Sequence, residues 1–79
     1  MTKHFVVVAS RDTCDAVAEE FPSLQEAFLS GRRNMDEGAQ VTILASDGQV
    51  LISYAGMIEL CGLDDAASTG WIQVITERH

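Results

Sequence analysis

FPSLQEAFLSGRRNMDEGAQVTILASDGQVLISY, residues Phe21 to Tyr54, decides the fold class: one amphipathic helix runs straight into a tight β-hairpin. Ser23-Leu24-Gln25-Glu26 fits a capping box, in which the serine hydroxyl accepts from the N3 amide and the glutamate reaches back to the cap. Pro22 keeps any upstream helix from running through. Leu24, Ala27, Phe28, Gly31 and Met35 recur at helical spacing and form one apolar stripe. Gly31 lies inside that stripe, so the backbone is expected to approach the sheet closely there. Arg32 and Arg33 fall near the C-terminal end, where the helix dipole favours cations. Gly38 suits the C′ position. The helix therefore spans about residues 23–37.

Asp47-Gly48 between two apolar runs predicts a two-residue type I′ turn. That turn would set Ala45 opposite Val50, Leu44 opposite Leu51 and Ile43 opposite Ile52. One face of the hairpin then collects Val41, Ile43, Ala45, Val50, Ile52 and Tyr54, expected under the helix stripe. The other face collects Thr42, Ser46, Gln49 and Ser53 around a Leu44–Leu51 pair. Such a cross-strand apolar pair on an open face is a candidate partner-binding or dimer surface.

Upstream, KHFVVVAS (residues 3–10) is β-branched and apolar on both faces, which predicts a central strand, with His4 at its exposed end. RDTC reads as a turn. DAVAEEF (residues 15–21) reads as a second strand paired with the first, with a short helix as the alternative. Downstream, Met57, Ile58, Leu60 and Cys61 predict a short helix ended by Gly62. Residues 63–70 read as a loop, with Asp64 and Asp65 able to cap a turn around Ala66 and Ala67. WIQVITE (residues 71–77), β-branched and entered through Gly70, predicts a last strand. The sum is a single α+β domain over residues 1–79: an antiparallel sheet of four or five strands in the chain order β-β-α-β-β-(short α)-β, with one main helix on one face.

Composition narrows the function. At 79 residues, with 47% hydrophobic and 22% charged side chains, the chain is an ordinary small globular sequence. Its core is near the lower size limit, so dimerisation would add stability. No apolar run approaches a membrane span, and the first residues lack a signal-peptide core, so the expected setting is the cytoplasm with Cys14 and Cys61 reduced. Net charge is −7, and the basic residues Lys3, Arg11, Arg32, Arg33 and Arg78 are scattered apart from one pair. A direct nucleic-acid binder needs a basic footprint, which this chain does not provide.

No catalytic or metal constellation stands out, and no cofactor is called for. Cys14 has no histidine placed to activate it, and the neighbouring Asp12 and Asp15 disfavour its thiolate. No P-loop, dinucleotide-binding glycine motif or zinc-protease motif is present. The acidic set Asp12, Asp15, Glu19 and Glu20 lacks the spacing of a calcium loop, and Asp64-Asp65 reads as a turn or cap rather than an acid/base pair; with Asp36 and Glu37 these make eight carboxylates available to a partner.

What these residues suggest is a small acidic, non-enzymatic protein-binding domain. In format the chain resembles phage-encoded anti-defence proteins such as anti-CRISPRs, which are often single small acidic domains. Its layout over residues 3–54, two strands, a capped helix and a DG hairpin, also resembles small bacterial domains of uncharacterised type. The first resemblance implies an inhibitor whose eight carboxylates occupy a basic, nucleic-acid-binding surface of its partner protein. The alternatives are a homo-oligomeric structural or ligand-binding domain using Leu44 and Leu51, or an enzyme subunit.

Overall fold

A computed structural model describes residues 4–11 and 14–78, with residues 14 and 15 described by backbone alone. The elements are β1 (Phe5–Arg11), β2 (Cys14–Phe21), α1 (Leu24–Asp36), β3 (Gln40–Ala45), β4 (Val50–Ile52), α2 (Tyr54–Cys61) and α3 (Asp65–Arg78). Four strands form one antiparallel sheet in the order β2-β1-β3-β4, an α+β architecture.

β1 is central, as its apolar run requires. Phe5, Val7 and Ala9 pair with Ala45, Ile43 and Val41 of β3, and these side chains face the helices. The core holds Phe5 and Val7, Val41 and Ile43, Ile52, the α1 residues Leu24, Ala27 and Phe28, then Met57, Leu60 and Ile72. Every helix thus contributes to one core on one side of the sheet.

α1 starts at Ser23, whose backbone is extended and whose Oγ accepts from the Glu26 amide at 3.2 Å. It ends in a Schellman motif: the Gly38 amide donates to the Met35 carbonyl, and the Ala39 amide to that of Asn34, both at 3.0 Å. Gly38 supplies the left-handed φ of 91° that this geometry needs.

The hairpin departs from the expected turn. The Gly48 amide donates to the Ala45 carbonyl, and the Ala45 amide to that of Gln49, so the loop is Ser46-Asp47-Gly48. Gly48 takes a φ of 92°, and Asp47 Oδ1 accepts from the Gln49 amide at 2.9 Å. This shifts the register by one residue, so that Leu44 pairs with Val50. An irregularity at Leu51 then restores the expected Ile43–Ile52 pair. Val50 leaves the expected core face and is 53% exposed. Tyr54, also expected in the core, opens α2 at the surface, because the strand stops at Ile52 and Ser53 caps the helix through the Gly56 amide.

The second correction is larger: residues 71–77 are not a fifth strand. They lie in α3, whose start is capped by Asp64, its Oδ1 accepting from the Ala67 amide at 2.7 Å. Within it Thr76 Oγ1 donates to the Ile72 carbonyl at 2.8 Å, a hydroxyl contact that lets a β-branched residue sit in a helix. Ser68 and Ile72, one turn apart, are buried. That helical spacing overrides the strand propensity of Trp71, Ile72, Val74, Ile75 and Thr76.

Candidate functional site

Among the described residues, the carboxylates read from the sequence are spread over several elements rather than one surface. Glu19 and Glu20 are neighbours on β2, which sends them to opposite faces of the sheet, opposite Val7 and Val6 respectively. Glu20 Oε1 is 3.3 Å from His4 Nε2. Glu37, at the C-terminal cap of α1, lies 2.6 Å from Arg11 Nη2. Asp65 Oδ1 is 3.1 Å from Arg32 Nη1, a link from α1 to the start of α3, while Asp64 is the helix cap. Asp36 is exposed on the last turn of α1, close enough to Cys61 to raise its pKa. The structure thus gathers Asp36, Glu37 and Asp65 towards the C-terminal end of α1, interleaved with Arg11 and Arg32. Asp12 and the Asp15 side chain lie outside the described residues, as does the thiol of Cys14.

Cys61 is half-buried. Burial pushes its thiol above the usual range; Arg32 opposes this, and Asp36 adds to it. Among the described residues no group of three or more histidine, cysteine or carboxylate side chains converges as a metal site would require. Among them, too, no helix is long and apolar enough to cross a membrane.

Leu44 and Leu51 separate. Leu44 stays on the uncovered face of the sheet, where the pairings Val6–Glu20, Val6–Leu44 and Leu44–Val50 align one row across all four strands. Val6 and Leu44 are half-exposed in that row, and no helical residue of the core cluster covers them. Leu51, displaced by the irregularity in β4, packs against the core instead.

Leu51 also lines the feature that the sequence reading missed. A groove of about 660 Å³ runs between β4, α2 and α3, walled by Leu51, Ile58, Leu60, Leu63, Trp71 and Ile75. Trp71 is 57%, Ile58 51% and Leu63 39% exposed. Trp71 and Ile75 reach the groove from one helical face at i, i+4 spacing. Ile58 arrives from α2, and Leu63 from the short link that follows Gly62.

Single exposed leucines or valines carry no message, but a tryptophan and an isoleucine sharing one concave surface do. Among the described residues, the only charged side chain lining the groove is Glu59. Its chemistry is apolar contact with an acidic edge. A reading of residues 71–77 as strand concealed it, since a strand would have put Trp71 and Ile75 in the sheet rather than on a helix beside α2. The signal that would have found it is the Asp64 cap followed by Ser68, Ile72 and Ile75 at helical spacing.

No protein-family model matches this chain, and comparison with curated proteins and with solved structures returns no similar one.

Proposed function

We propose that this chain is a non-enzymatic protein-binding domain whose contact site is the β4–α2–α3 groove. The observation that carries the proposal is the exposure of Trp71 beside Ile58 and Leu63 in one groove. Tryptophan at the centre of an apolar depression is the side chain that most often dominates a protein contact, through large area and low entropy cost. The excess of carboxylates favours a partner with a basic surface, such as a nucleic-acid-binding protein held in an inhibited state. Affinity capture at rising salt, with wild type and Trp71→Ser side by side, tests this reading. A partner lost on Trp71→Ser and weakened between about 0.1 and 0.5 M salt supports it, because screening shortens over that range. A partner that ignores Trp71 contradicts the groove, and one that ignores salt contradicts the basic surface.

A second reading rests on the row Val6, Leu44 and Val50 across the uncovered sheet face. Two copies could stack these faces as a homodimer, which would offset the thin margin of a small core. Sedimentation equilibrium decides it: a dimer dispersed by Leu44→Lys supports this reading, and a monomer at high micromolar concentration sinks it.

A further inference from the structure

The floor, walls and charge of the groove narrow what it can hold. β4, the strand at its floor, has only three residues and is irregular at Leu51, so it is a poor template for an added strand. The walls are two helices, α2 and α3, and the lining between them is mostly apolar side chains. That is the form of a site that takes the apolar face of a helix, read through anchors at i, i+3, i+4 and i+7. A volume of about 660 Å³ has room for a few large side chains from such a face.

Charge separates the occupants. Among the described residues the lining holds Glu59 and no lysine or arginine, and the chain as a whole carries −7. A second copy docked groove to groove would set Glu59 against its own counterpart, which is repulsive inside the contact. An anionic membrane surface is disfavoured on the same ground. A segment with an apolar face and a basic rim is favoured, since its lysines or arginines meet Glu59 while its apolar residues cover Trp71.

We propose that the groove receives an amphipathic helix of a partner protein, apolar on one face and cationic at its margins. This rests on the reading of the groove as a protein-binding site and adds the chemistry of the occupant. The helix lies across Trp71, Ile58 and Leu63, and its cationic margin faces Glu59.

Trp71 is the sole tryptophan of the chain, so its emission reports on the groove directly. The probes are an amphipathic helical peptide built of leucine and lysine and its leucine–glutamate counterpart of equal length. They are titrated into wild type, Glu59→Lys and Glu20→Lys. The two variants change charge equally, and Glu20 stands on β2, away from the groove residues. The expected result is a blue shift of Trp71 with the lysine peptide alone. Affinity should fall about tenfold in Glu59→Lys, and distinctly less in Glu20→Lys.

Equal shifts with both peptides, equal weakening by both variants, or no shift at all overturns the proposal. So does a blue shift that grows with protein concentration before any peptide is added, which would assign the groove to a second copy. A natural partner lost on Trp71→Ser yet indifferent to Glu59→Lys would keep the site and discard the cationic helix.

Discussion

Gly31 and Val41 approach so closely that a side chain at 31 would collide: an ideal Cβ there would stand 2.9 Å from Val41 Cγ1. The same Cβ would be 3.0 Å from Met57 Cε, so α1, β3 and α2 meet at one point. Val41 is fully buried and β-branched, which leaves it little freedom to move aside. Gly31→Ala should therefore destabilise the protein by about 1–3 kcal/mol through overpacking, despite its better helix propensity. Gly70 gives the opposite case, for a Cβ there meets nothing within 4 Å. Gly70→Ala should stabilise by about 1 kcal/mol. Urea denaturation of the two variants checks both signs.

At the start of α3, two adjacent aspartates have unequal roles. Asp64 satisfies the Ala67 amide, and Asp64→Ala should cost about 1 kcal/mol through the lost cap. Asp65 pairs with Arg32, but its side chain is 89% exposed, so solvent screens the attraction. A double-mutant cycle of Asp65→Asn with Arg32→Gln should give a coupling of about 0.5 kcal/mol or less, shrinking with salt.

The three-residue loop makes Gly48 a sensitive position. Its φ of 92° is strained for any other residue, so Gly48→Ala should destabilise by about 1 kcal/mol or more. A type I′ turn centred on Asp47-Gly48 would need a positive φ at both residues, yet among the described non-glycine residues none has one. Gly48→Asn, which tolerates the left-handed region better, should recover part of the loss.

Cys61 gives a pH dependence whose sign is fixed by burial. Its pKa in the folded chain is raised from the ordinary 9.0, so the folded state holds the thiol proton more tightly than the unfolded state. The associated stability is complete below that ordinary value and is lost as pH rises through the folded one. Wild type should lose stability above about pH 9 more steeply than Cys61→Ala. In a Cys14→Ser background, alkylation of Cys61 by iodoacetamide at pH 8 should be slower in the folded chain than in urea.

What the sequence made legible was local. α1 could be read because its cap, stripe and C′ glycine fall within a single stretch and agree. β1 could be read from β-branched density, β2 from its place between a turn and the helix that follows Pro22, and β3 from its apolar run beside Asp47-Gly48. The hairpin was right in kind and wrong by one residue, since the Ser46-Asp47-Gly48 loop is closed by Ala45 and Gln49 where an Asp47-Gly48 loop would be closed by Ser46 and Gln49. That one residue was enough to dissolve the Leu44–Leu51 pair, giving Leu44 to Val6 and Val50 and Leu51 to the groove. α3 was misread because its propensities favour a strand, while the burial of Ser68 and Ile72 is a tertiary effect. The groove depends on α3 being a helix, so it stayed hidden with it.

Photo-crosslinking from inside the groove shows whether a partner protein sits there. A crosslinking residue replaces Ile58, 51% exposed in the groove, or Val17, 61% exposed on β2 and outside it. Each protein is irradiated in the cells that produce it, and adducts are resolved by mass. A discrete protein adduct from position 58, absent from position 17 and abolished by Trp71→Ser, is the result this account predicts. Adducts that form equally from both positions, or from 17 alone, would contradict it.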